Sequence, residues 1–65
     1  MIEPPKGTML MVFHYNMYYL IWHEVEGWTI SGELRRYTWD QLVYRFDERY
    51  LSIARKLIVK PDEVP

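Results

Sequence analysis

Between Thr38 and Val59 the apolar residues Trp39, Val43, Phe46, Tyr50, Ile53 and Leu57 succeed one another at intervals of four, three, four, three and four, with Leu42 and Ala54 beside them. That spacing keeps one stripe of a helix turned toward a core, and no glycine or proline interrupts it, so the pattern predicts one long helix over 38–59. Thr38 reads as its N-cap, with Gln41 three residues later completing a capping box and Asp40 in the first turn. At the far end Arg55, Lys56 and Lys60 complement the helix dipole, and Pro61 closes the segment. A second reading stops the helix near Tyr50 and makes 53–59 a fourth strand, giving the order βββαβ. That strand would set Ile53, Arg55, Leu57 and Val59 on one face and Ala54, Lys56, Ile58 and Lys60 on the other. Neither face is cleanly apolar, so helical periodicity accounts for more of these residues.

Upstream the period changes to two. Thr8 to Tyr15 and Tyr18 to Val25 are rich in β-branched, aromatic and methionine residues, and Tyr15-Asn16 is the turn-compatible pair between them. Glu26-Gly27 offers a second two-residue turn, after which Trp28, Ile30, Gly32 and Leu34 alternate with Thr29, Ser31 and Glu33 as a third strand. Gly32 there suggests a bulge or a close approach by the helix, and Arg35, Arg36 and Tyr37 link onward. The expected architecture is α+β: a three-stranded antiparallel sheet packed against one long C-terminal helix. Residues 1–65 form a single domain with an extended lead-in (1–7), sheet (8–34), helix (38–59) and tail (60–65).

The two turns fix which side chains share a face. Under Tyr15-Asn16, Val12 opposes Tyr19 and Leu10 opposes Ile21; under Glu26-Gly27, Val25 opposes Trp28, His23 opposes Ile30, Ile21 opposes Gly32 and Tyr19 opposes Leu34. One face then carries Leu10, Val12, Tyr19, Ile21, Val25, Trp28, Ile30 and Leu34, the natural partner of the helix. The other carries Met9, Met11, Phe13, Tyr18, Leu20 and Trp22, and no helix is left to cover it. Leaving the larger of these wet forgoes roughly 1.5–3 kcal/mol each, before entropy, against a whole-domain stability of roughly 5–15 kcal/mol. Three explanations fit: two copies packing sheet to sheet, a docking face for a different macromolecule, or a first turn misplaced by one residue, which would exchange the faces of the first strand.

Composition narrows the picture. With 65 residues the core is small, and without cysteine no disulfide supports it, which leaves oligomerisation as the common route to stability and points to a reducing compartment. A net charge of −1 provides no general attraction to nucleic acid or anionic lipid. The opening residues lack the basic region of a signal peptide, and His14 and Asn16 interrupt an apolar run too short to span a membrane. A soluble cytoplasmic protein with no membrane partner is expected.

Candidate chemistry is sparse. His14 and His23 with Glu24 and Glu26 do not converge in the expected register, and Asp40 and Asp47 lie two helical turns apart. No phosphate loop or nucleophile motif occurs, so no enzyme, metal or cofactor is expected. A structural role for the histidines fits better. On the expected helix Arg45, Arg49, Lys56 and Lys60 fall along one flank with Ser52 between them, and Arg35, Arg36 and Tyr37 extend it. Such a stripe suits a phosphate backbone or an acidic protein surface, although an ordinary solvated face has the same pattern. Phe13, Tyr18 and Trp22 offer rings on which single-stranded bases could stack, but the expected face holds no lysine or arginine for the phosphates.

The sequence is thus read first as a non-enzymatic interaction protein: a homodimeric accessory, regulatory or inhibitory chain that binds a larger host or cognate protein through its apolar sheet face. Viral and mobile-element proteins are often of this kind, which is a prior about class. The alternative is a small nucleic-acid-binding regulator using the basic helix flank.

Overall fold

The computed structural model describes residues 2–58. Along the chain it forms β1 (Thr8–His14), β2 (Met17–Glu24), β3 (Gly27–Ile30), β4 (Arg36–Tyr37), α1 (Trp39–Phe46), α2 (Glu48–Ser52) and β5 (Arg55–Ile58). The strands make one sheet in the order β4-β3-β2-β1-β5, with antiparallel neighbours throughout. The α+β class stands, but the sheet has five strands where three were expected, and two short helices replace the single long one.

The first hairpin follows the expected register, with Leu10 opposite Ile21 and Val12 opposite Tyr19. Tyr15 and Asn16 both take positive φ, 50° and 62°, the two-residue geometry whose twist matches that of flanking strands. The second hairpin turns one residue earlier than expected. Val25 and Glu26 form its tip, so Ile21 opposes Ile30 and His23 opposes Trp28. Gly27 instead opens β3 at φ 128°, and a Cβ there would stand 3.0 Å from the Tyr37 carbonyl oxygen of the neighbouring strand. The shift moves the pairing by two residues, an even number, so the faces survive while Val25 and Leu34 leave the core for solvent. β3 ends at Ile30, and Gly32 at φ 83° lies in an open turn, neither a bulge nor a helix contact. The expected linker at Arg36 and Tyr37 becomes edge strand β4, paired with Thr29 and Trp28.

The helix begins as expected. Gln41 N donates to Thr38 Oγ1 at 3.2 Å and Thr38 N donates to Gln41 Oε1 at 2.8 Å, which completes the capping box. It breaks at Asp47, whose φ of 66° ends α1 while its carboxylate accepts from Arg49 N at 3.0 Å to start α2. The break rotates the stripe. Trp39, Leu42 and Phe46 are buried and Val43 half-buried, but Leu51 takes the core position that periodicity assigned to Tyr50 and Ile53, and Ile53 is 79% exposed. Residues 55–58 then pair with β1, Met11 opposite Arg55 and Thr8 opposite Ile58. The fourth-strand alternative describes this segment better than the long helix does, because alternation of side chains counts for less than the backbone partners that β1's free edge supplies. Lys60 and the tail 60–65 lie outside the described residues.

The core lies between the sheet and the two helices: Leu10, Val12, Ile21, Trp28 and Ile30 from the strands meet Trp39, Leu42, Phe46 and Leu51. Residues 2–7, expected to be a bare lead-in, form a strap across one end of it. Pro4 is buried, its carbonyl accepts from His23 Nδ1 at 2.9 Å, and the Trp28 indole N–H donates to Glu3 at 2.8 Å. His23 stacks on Trp28 with ring centroids 4.3 Å apart, so this histidine has a structural role.

Two substitutions separate the broken helix from an unbroken one. Leu51→Ala should cost about 2–5 kcal/mol in denaturant unfolding, whereas Ile53→Ala should stay within about 0.5 kcal/mol. A continuous helix requires the opposite order.

Candidate interaction face

Period two sends alternate residues of β1 to opposite sides, and burial follows: Thr8, Leu10 and Val12 are buried beneath the helices, while Met9 and Met11 are half-buried and Phe13 is 50% exposed. On β2, Tyr18 and Leu20 are 70% and 36% exposed and Trp22 is half-buried. The six residues expected to form the open face therefore share it, in the cross-strand pairs Met9–Trp22, Met11–Leu20 and Phe13–Tyr18. The last pair is in ring contact, with centroids 4.7 Å apart. The buried residues of α1 and α2 belong to the core opposite, and of the helices only Tyr50 of α2 reaches the margin of this side.

The face is larger and more charged than the three-strand reading implied. β5 adds Arg55 opposite Met11, and a groove of about 370 Å³ opens there among Met11, Phe13, Tyr18, Tyr50, Ile53 and Arg55. At the other side β4 adds Arg36 opposite Thr29, in the row that continues to Trp22 and Met9. Arg36 reaches Glu24 at 3.4 Å and Glu26 at 3.5 Å. The helical reading of this segment assigns Arg55 to the helix C-terminus, whereas the strand alternative groups it with Ile53 and Leu57. Tyr50 leaves the core because the break at Asp47 rotates the helical stripe, and Ile53 because the chain has left the helix; only for Ile53 does the alternation of 53–59 carry a signal.

The basic helix flank is not assembled. Lys56 lies on β5, Lys60 is outside the described residues, and Arg45 and Arg49 belong to different helices. Arg45 is also occupied: its guanidinium forks onto both Glu33 oxygens at 2.8 and 2.9 Å and donates to the Tyr37 hydroxyl at 2.9 Å, while that hydroxyl donates to Glu33. The Arg45 hydrogen bonds, then that of Tyr37, hold the Glu33 carboxyl below the ordinary range, and the carboxylate raises Tyr37 and Arg45. Arg49 turns back onto Asp47 at 3.1 Å, and its guanidinium, ahead of its backbone N–H, lowers the Asp47 carboxyl. Arg35 lies over the Tyr37 ring at 5.0 Å. These cations hold the loop after β3, β4 and the helix ends together rather than lining up as a stripe.

For other chemistry, a recess of about 480 Å³ between the strap and the start of α1 is lined by Glu3, His23, Trp28, Trp39 and Asp40 among others. Its Glu3 and His23 are committed to holding the strap. Among the described residues no three metal-ligating side chains lie together, and His14 packs edge-on against Phe46 and Tyr50. No helix among the described residues is long and apolar enough to cross a membrane. No family model, curated protein or solved structure matches the chain at a significant level.

The Glu33 cluster carries a pH signature. Because the folded carboxyl is held below its ordinary value of 4.5, the stability it contributes is present above that value and is lost as pH falls through the lower folded value. Unfolding measured from neutral to acid pH should show this loss, about 1 kcal/mol or less for a pair this accessible, and Glu33→Gln should flatten that part of the curve.

Proposed function

We propose that the chain is a non-enzymatic interaction module, an accessory or regulatory protein whose working surface is the open face of the sheet. One observation carries this reading: Phe13, Tyr18 and Leu20 are exposed beside Met9, Met11 and Trp22 on a face that the chain's own helices leave bare. A continuous apolar patch of this kind on a small protein commonly marks a contact surface, and aromatic and methionine side chains are those that interface centres favour. Covering it returns about 25 cal/mol for each Å² of apolar surface removed from water, the gross term from which the cost of association is subtracted.

A second reading is favoured by the position of Arg55. With a guanidinium opposite Met11 and rings at Phe13, Tyr18 and Trp22, the face has the elements of a stacking platform for single-stranded nucleic acid. Binding of that kind weakens steeply as salt rises, in proportion to the phosphates neutralised, whereas apolar docking is nearly indifferent to salt.

Phe13→Glu and Tyr18→Glu test the first reading. Both positions are exposed, so the variants should keep the native circular dichroism and lose no more than about 1 kcal/mol of stability. They should also bind less hydrophobic dye and lose whatever association the native chain shows by light scattering. Folded variants with native dye binding and native association would exclude the face as the working surface.

A further inference from the structure

Resting on that reading of the face, we infer that its occupant is an extended acidic segment of a partner protein, which lays one large apolar side chain in the groove beside β5 and sets a carboxylate two residues away on Arg55. The groove is where the sheet stops short. β5 begins opposite Met11, so Val12, Phe13 and His14 run on along β1 with no strand among the described residues on their outer side. Met11, Phe13 and Tyr18 of the sheet, with Tyr50 and Ile53 from the chain that returns to it, surround about 370 Å³ there. That lies at the small end of the ~300–1,000 Å³ range of ligand sites, room for one large side chain and its neighbours. Exposed apolar surface gathers at the same place, since Phe13, Tyr18, Tyr50 and Ile53 all stand open to solvent.

Charge selects the chemistry of the partner. Every other described arginine is engaged within the chain: Arg35 over the Tyr37 ring, Arg36 on Glu24, Arg45 on Glu33 and Arg49 on Asp47. Among the described residues the Arg55 side chain meets no carboxylate, carbonyl or ring, and no acidic residue lines the groove it borders. An unpaired guanidinium beside an apolar groove is complementary to a carboxylate, which it can hold through two parallel hydrogen bonds. The register supplies the spacing. Arg55 stands at the level of Met11, and the Phe13–Tyr18 ring pair comes two residues further on, about 7 Å along the strand. A partner segment in extended conformation repeats that distance between side chains two positions apart, which point to the same side. A phosphate backbone fits less well, because it needs cations all along its track and the groove offers one.

A short capped peptide of serines, with one phenylalanine and one glutamate two positions apart, tests this on the full chain. Titrated to millimolar concentration, in either order of the two residues, it should move the amide resonances of Met11, Phe13, Tyr18 and Arg55. Exchanging the peptide's glutamate for lysine should weaken binding about tenfold, and so should Arg55→Glu, an exposed change that should retain the native circular dichroism. The lysine peptide on Arg55→Glu should recover most of the native affinity, because the two charges have been exchanged. A native chain whose resonances do not move overturns the inference, and dye binding in Phe13→Glu then judges the face by itself. Peptide binding lost in Phe13→Glu but unmoved by Arg55→Glu overturns the carboxylate pairing and leaves the face reading standing. A native chain that sediments as a dimer which the peptide does not dissociate overturns the inference in favour of a second copy. A single-stranded oligonucleotide that moves the same resonances at lower concentration than the peptide overturns it in favour of nucleic acid.

Discussion

The pairing of β1 with β2 is the constraint on which the rest of the molecule depends. Tyr15 and Asn16, both in the left-handed region, leave the two strands one register, and with it one parity. Leu10, Val12 and Ile21 turn toward the helices, and Met9, Met11, Phe13, Tyr18, Leu20 and Trp22 turn away. A slip of one residue would exchange the β1 sets, bringing methionine and phenylalanine under the helices and the present core into water. Both the packing of Trp28, Trp39, Leu42 and Phe46 and the character of the opposite face follow from that turn.

Much of this was legible from pattern alone because it is local. The first hairpin, the sorting of faces and the capping box at Thr38 and Gln41 each depend on residues a few positions apart. What was not legible depends on partners distant in sequence. Periodicity favoured helix through 53–59, but β1 had an unpaired edge, and its backbone groups gained more from Arg55–Ile58 as a strand than one helix would have gained from continuing. Asp47 allowed the change by acting as terminator and cap together, a double role that nothing in its neighbours announces. The strap at Glu3 and Pro4 gives no local signal at all, because its purpose is to meet His23 and Trp28.

The fate of the arginines shows why a helical wheel overstated their availability. Arg45, Arg49 and Arg36 each found a carboxylate, and the best-made of these contacts, the fork of Arg45 on Glu33, ties α1 to the loop after β3. The cluster is structural, and it sets the Arg45 guanidinium over the ring of the buried Phe46 at 5.2 Å. Arg55, read as a contributor to helix polarity, instead borders the apolar face. Charge that looks like a nucleic-acid stripe in one dimension is, in three, largely paired within the chain, with Arg36 and Arg55 bordering the apolar face.

One consequence of the strand order concerns the timing of assembly. β1 lies second from the edge of the sheet, yet its outer neighbour β5 is separated from it by forty residues of chain. While the polypeptide is being made, the first hairpin emerges early and bears an apolar strand with one row of backbone donors and acceptors still open. That row closes only after residues 55–58 have left the ribosome, so a nascent chain passes through a period in which its stickiest strand is also its least satisfied one.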